Sequence, residues 1–185
     1  MAVFTGAHGV ANGLDAVLDA AMSLKAKGRN DIKLVFIGEG KLKQVLAIRA
    51  ENEGLSNCIF LDGIPKKQLS GLLAQANIGL MILANVPAFY YGTSPNKFFD
   101  YIAAGLPVLN NYPGWLADLI NQHGCGIVVK PDDPEAFADA LIHGADNRHI
   151  LKEMGRCARE LAIKQFDRHI LSDKFVDILV KITEK

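Results

Sequence analysis

Six short apolar runs, near residues 2–5, 33–37, 58–61, 78–83, 107–110 and 126–129, recur along the chain, each bounded by Gly, Asn or Pro. Segments of helical period fill the intervals, over 13–27, 41–53, 66–75, 95–104, 115–123 and 134–146. A strand too short and too apolar to alternate must be buried on both faces, and helices between such strands supply the cover. The pattern therefore predicts an α/β chain with a doubly wound, Rossmann-like parallel sheet of about six strands. In the segment 13–27, Leu14, Val17, Leu18, Ala21 and Leu24 recur at helical spacing and predict one buried stripe.

After about residue 148 the pattern changes. Two charged amphipathic helices, around 149–165 and 168–183, follow with no strand between them. The expected division is a sheet domain over 1–148 and C-terminal helices over 149–185. Ile170, Phe175, Ile178, Leu179 and Ile182 form a stripe that needs a surface, either this domain's own sheet or a neighbouring body.

Charge and cysteine usage remove several functions. Twenty basic and twenty acidic residues leave no net field to draw in nucleic acid or an anionic membrane. Cys58, Cys125 and Cys157 are odd in number and lack a Cys-x-x-Cys spacing, which argues against a disulfide framework or zinc. A reduced, cytoplasmic setting is expected. The longest apolar stretch, 78–84, is far short of the roughly 20 residues that cross a bilayer, and the opening residues do not read as a secretory signal. At 185 residues the chain is expected to fold as one unit, burying roughly 70% of its unfolded surface.

Residues 92–108, Gly-Thr-Ser-Pro-Asn-Lys-Phe-Phe-Asp-Tyr-Ile-Ala-Ala-Gly-Leu-Pro-Val, combine a polar loop, a short helix and a strand start. Ser94 is placed to cap a helix with Pro95 at its first position, and Gly105 to end it before the strand opens at Pro107. Backbone donors at such a helix start face any bound anion. Earlier in the chain, the loop Gly6-Ala-His-Gly-Val-Ala-Asn-Gly13 follows the first strand, with Asn12-Gly13 expected to open a helix. Its three glycines let amides approach a pyrophosphate, although a tight strand-to-helix turn explains such a loop equally well. It lacks the Gly-x-Gly-x-x-Gly spacing of a dinucleotide fold.

The run from Asp100 to Val108 resembles the Glu-Ala-Met-Ala-x-Gly-x-Pro-Val signature of family 4 (group 1) retaining glycosyltransferases, which have the two-domain GT-B fold. Val3 to Gly9 resembles the family's first strand and phosphate loop, and Leu34-Val-Phe-Ile-Gly-Glu-Gly40 its second strand. Ile59 to Gly63, then Ala76 to Leu83, match the next landmarks in order. The resemblance covers about residues 3–145 and implies a C-terminal, donor-binding half of a GT-B enzyme of bacterial surface-polysaccharide synthesis. It implies a nucleotide-sugar donor, UDP-linked, with the acceptor, a glycan or a lipid-linked glycan, held by a missing N-terminal domain. The chain starts directly on the C-terminal domain's first strand, so an excised donor domain, nearly inactive without the other half, is expected. The protein would be cytoplasmic, brought to the inner membrane face only through the missing domain or the acceptor.

The resemblance also assigns residues. Gly6, His8 and Gly9 fall in the phosphate loop, Gly38 and Glu39 at the end of the second strand, Gly63 and Ile64 in the base-reading region, and Thr93, Ser94, Pro95 and Asn96 at the sugar end. Asp100 takes the place of the second glutamate of a pair and is expected on the ribose hydroxyls, a task within a carboxylate's bidentate reach. Gly92 replaces the first glutamate, which moves the sugar contact elsewhere and points to an N-acetylated or amino sugar. Ala7 and Asn12 replace a basic pair that many relatives carry in the loop. Lys97 is then the candidate catalytic cation, meeting the leaving diphosphate; the alternative is a solvated surface lysine. Tyr90 and Tyr91 either stack on a sugar or pack as a wall. No Asp-x-Asp motif is present, so no metal and no cofactor are expected. His123, His143, His149 and His169 fall on helical or surface positions. A non-catalytic nucleotide-binding module and a GT-B sugar-nucleotide epimerase are the alternatives; an acceptor domain upstream in the gene separates the transferase from the module.

Overall fold

The protein's structure, a computed structural model, describes residues 1–183. Residues 184 and 185, the end of the expected segment 149–185, lie outside the described residues. Six strands, β1 (Ala2–Thr5), β2 (Leu34–Ile37), β3 (Cys58–Leu61), β4 (Ile78–Met81), β5 (Val108–Asn110) and β6 (Gly126–Val128), form one sheet. Every pairing is parallel, in the order β3-β2-β1-β4-β5-β6. The order reverses between β1 and β4, the switch point at which doubly wound sheets open a crevice beyond their C-terminal ends.

Nine helices cover the sheet among the described residues: α1 (Asp15–Ala26), α2 (Lys43–Asn52), α3 (Lys66–Leu73), α4 (Pro87–Tyr90), α5 (Asn96–Ala103), α6 (Trp115–His123), α7 (Pro134–Asp146), α8 (Arg148–Gln165) and α9 (Arg168–Thr183). The period-2 pleat divides the core into two layers. Phe4 and Phe36 face α1 and α7, where Leu18, Leu24 and Phe137 are buried, and the Phe36 and Phe60 rings stack at 4.6 Å. Val3, Val35 and Met81 face α5 and α8 on the other side, against Phe98, Tyr101 and Leu161. All five residues of the stripe expected in 13–27 are buried. Asp133 caps α7 by accepting from the Ala136 amide at 2.9 Å, with Pro134 in the first turn.

Three local expectations are corrected. The helix expected from residue 13 starts at Asp15; Asn12 and Gly13 instead close a 3-10 turn, Val10–Asn12. Gly13 sits at φ 54°, and a Cβ there would lie 2.6 Å from the Ala84 Cα, so the loop is pressed backbone to backbone on the chain after β4. Ser94 does not cap α5: Pro95 occupies the cap position in extended geometry, φ −73° and ψ 130°, with no side-chain cap bond, and Asn96 is the first helical residue. The four-residue α4 was not foreseen; it is a single turn with Pro87 at its start.

The C-terminal end of α5 follows the sequence closely. Gly105, at φ 69°, lets the Leu106 amide return to the Tyr101 carbonyl at 2.9 Å, the reversal that feeds the chain into β5. Helix α8 lies on α5, with the Arg159 guanidinium donating to the Ala103 carbonyl. Helix α9 buries none of its residues, and Phe175, Ile178, Leu179 and Ile182 are 47–65% exposed. They do not pack on this domain's own sheet, whose face is already taken by α5 and α8. No helix among the described residues is long and apolar enough to cross a membrane.

Candidate functional site

A cleft of about 390 Å³ opens beyond the C-terminal ends of β1, β2 and β3. Gly6, Gly38 and Gly63 line its floor, Ile64 and Leu69 one side, and Asn96, Lys97 and Asp100 of α5 the other. The floor is compact because the first two loops continue the ladder past their strands: the Gly6 amide donates to the Ile37 carbonyl at 2.9 Å and the His8 amide to the Glu39 carbonyl at 2.8 Å. A Cβ at Gly38 would sit 2.0 Å from the Gly6 carbonyl oxygen, so the floor exists only with glycine there. Glu39 holds the third loop, accepting from the Gly63 amide at 3.1 Å and from Lys43 Nζ at 3.0 Å.

Tyr101 locks α5 onto this floor. Its buried hydroxyl accepts from the Thr5 amide at 3.0 Å and the Thr5 hydroxyl at 3.1 Å, and donates to the Val3 carbonyl at 3.3 Å. Its ring lies directly on Gly79 of β4, where a Cβ would come within 2.5 Å. One side chain thus fixes the helix against both strands of the switch point. Lys97 and Asp100, one turn apart on α5, are thereby aimed over the ends of β1 and β2.

Lys97 is not a solvated surface lysine. Its Nζ donates to Asn12 Oδ1 at 2.9 Å and lies 4.0 Å from the centre of the Phe4 ring. Burial of the ammonium lowers its pKa from the usual 10.5 to about 7. Its stem runs over Gly6, where a Cβ would be 3.5 Å from Lys97 Cε. Asp100 is partly covered and pairs with Lys66 Nζ at 3.0 Å. That pair is open to water, the Lys66 side chain being 78% exposed, so a hydroxyl-bearing ligand would displace it at little cost.

The cleft gathers Gly6, Gly38, Gly63, Ile64, Asn96, Lys97 and Asp100 from the residues singled out in the sequence, while His8, Gly9, Thr93, Ser94 and Pro95 do not line it. The amides of Gly6 and His8 are spent on the second loop. The His8 ring turns inward, fully buried, 5.9 Å from Phe4 and 6.2 Å from Phe60. Neither ring nitrogen has a partner among the described residues, and burial, then Lys43, hold the imidazole below its ordinary pKa and neutral. Thr93 is tied down locally, its hydroxyl donating to the Phe89 carbonyl and its carbonyl accepting from Trp115 Nε1. Tyr90 is buried against Tyr112, whereas Tyr91 is 74% exposed. Sequence spacing does not reveal Tyr101 or Asn12 as site-builders, because their partners lie 85–98 positions away.

A crevice at the switch point, floored by glycines and edged by one cation and one carboxylate, is the position at which doubly wound α/β domains bind ligands. The chain belongs to the Glycosyl transferases group 1 family, whose model matches residues 1–147. It is 29% identical over 157 residues to the D-rhamnosyltransferase WbpZ of Pseudomonas aeruginosa, covering 84% of this chain and 39% of WbpZ. Among solved structures, WaaG, a glycosyltransferase involved in lipopolysaccharide biosynthesis, superposes with a TM-score of 0.73 at 27% identity, over 96% of this chain and 46% of WaaG. HepE of Anabaena, in complex with UDP, superposes with a TM-score of 0.81 at 13% identity, over 97% of this chain and 48% of HepE. The fold is one half of the GT-B architecture, and the chain spans less than half the length of these relatives.

Proposed function

We propose that this chain is the donor-binding half of a retaining glycosyltransferase, holding a UDP-linked sugar for transfer to a glycan or lipid-linked acceptor carried by another half. The observation that carries the proposal is the pairing of Lys97 and Asp100, one turn apart over the glycine floor. A carboxylate at that depth suits the two hydroxyls of a ribose, and a desolvated ammonium beside it suits the diphosphate. As the bond from sugar carbon to phosphate oxygen breaks, negative charge grows on the departing diphosphate, and a preplaced cation in a dry site stabilises it. Gly92 leaves the sugar end without a carboxylate, which favours an N-acetylated or amino sugar held by hydroxyls and backbone. UDP is the first nucleotide to try because HepE, with the same fold, is solved with UDP.

The test is a calorimetric titration of the chain with UDP, GDP and ADP, alongside Asp100→Ala. Selective UDP binding, weakened by about 1–3 kcal/mol in the variant through loss of charge-assisted hydrogen bonds, is the expected result. Binding of none of the three, or unchanged affinity in Asp100→Ala, would overturn the assignment of this cleft.

A further inference from the structure

We propose that Asn12 is a positioning residue for Lys97: it sets where the ammonium waits at the rim of the cleft without neutralising it. The use of that cation on a diphosphate rests on the donor-site proposal above; the positioning itself rests on geometry. Asn12 does not line the cleft, and its side-chain bond to a residue that does is the one to Lys97. Its Nδ2 donates to the Ala7 carbonyl at 2.7 Å, and its Oδ1 accepts from Lys97 Nζ at 2.9 Å. The reversed amide would set its NH2 group against the ammonium and its oxygen against a carbonyl, so the network allows one orientation. Asn12 is the one hydrogen-bond acceptor of Lys97 among the described residues. The Phe4 ring attracts the charge but has no acceptor atom to direct it.

A neutral acceptor matters here. A carboxylate at position 12 would hold the ammonium harder, cancel its charge and repel an incoming phosphate. The other ionisable groups nearby leave the charge uncompensated: His8 of the same loop is buried and neutral, and Asp100, further along α5, is engaged by Lys66. The carboxamide thus joins the loop after β1 to the helix after β4, across 85 positions of sequence, through the one group meant to meet the ligand.

The test has two arms. In the ligand-free chain labelled with ¹³C-lysine, the Lys97 Cε resonance, assigned by its loss in Lys97→Met, reports the midpoint of that lysine. Asn12→Ala should lower the midpoint by about half a pH unit or more, because the charged form loses its acceptor, and Asn12→Asp should raise it by about one unit or more. In the second arm, UDP affinity should fall about tenfold in Asn12→Ala and in Asn12→Asp, the latter despite its more basic lysine. The Asn12→Ala/Lys97→Met double variant should bind no more weakly than Lys97→Met alone. Unmoved midpoints in both Asn12 variants, or additive losses in the double variant, would overturn the proposal. Circular dichroism confirms the fold of each variant, and Asn12→Asp, which keeps an acceptor for Nζ, serves if Asn12→Ala unfolds. A parent chain that does not bind UDP would sink the donor-site proposal, while the midpoints would still decide the role of Asn12.

Discussion

Gly79→Ala places a methyl group 2.5 Å from Tyr101 Cδ2, 2.7 Å from Cγ and 2.8 Å from Cε2. Ordinary contact begins at 3.4 Å, so the ring must retreat by about 1 Å from a site in which it is fully buried. Overpacking of this kind costs about 1–3 kcal/mol. A retreat of that size also stretches the hydroxyl's bonds to Thr5, now 3.0 and 3.1 Å, beyond useful length, at about 1 kcal/mol for each buried bond lost. The expected destabilisation is therefore about 3–5 kcal/mol. Urea unfolding followed by the fluorescence of Trp115, the chain's single tryptophan, measures it. In a Tyr101→Ala background there is no ring to displace, and the same Gly79→Ala change should be nearly neutral or slightly stabilising, since Ala is the better strand residue. A loss below about 0.5 kcal/mol in the parent, or an equal loss in both backgrounds, would refute the packing argument.

UDP binding should draw in a proton, because Lys97 titrates at about 7 in the empty cleft and a neighbouring diphosphate raises its pKa. Affinity should thus fall as pH rises above about 7, by at most tenfold per unit; calorimetry in two buffers of different ionisation heat detects the uptake, which Lys97→Met should abolish. The same lysine has a folded pKa below its unfolded value of 10.5, so the unfolded chain binds more protons between these limits. Stability of the ligand-free chain should rise with pH from about 7 towards 10.5, more in the parent than in Lys97→Met, as read from urea midpoints. Deleting residues 168–185 should cost this chain less than about 1 kcal/mol, since α9 buries none of its residues; a larger shift in urea midpoint would show that the helix supports the sheet.

The sheet was legible because its strands are apolar on both faces and end at Gly, Asn or Pro, so their limits fall within about two residues of those expected. The turn after Ala103 was legible for the same reason, a glycine where φ must be positive. The start of α5 was not: Pro fits both the cap and the first turn, and only the extended ψ of Pro95 decides between them. Lys97 and Asp100 could be placed at one edge of the cleft from their spacing and the family resemblance. The inward turn of His8 could not, because the aromatic cavity that receives it is built by Phe4, Phe36 and Phe60 from three strands. Asn12 was visible as a departure from a basic residue, but not as a partner for Lys97, since no local pattern encodes a contact 85 positions away.

The hydroxyl of Tyr101 bonds to β1 while its ring rests on β4 and its backbone belongs to α5, so the floor and the cationic wall of the cleft form one stiff piece. The α5 wall therefore cannot tighten on a ligand by moving against the floor. If the donor-site proposal holds, a diphosphate would meet Lys97 on a wall already fixed to the floor, so this edge of the cleft would act as the anvil for whatever closes over it.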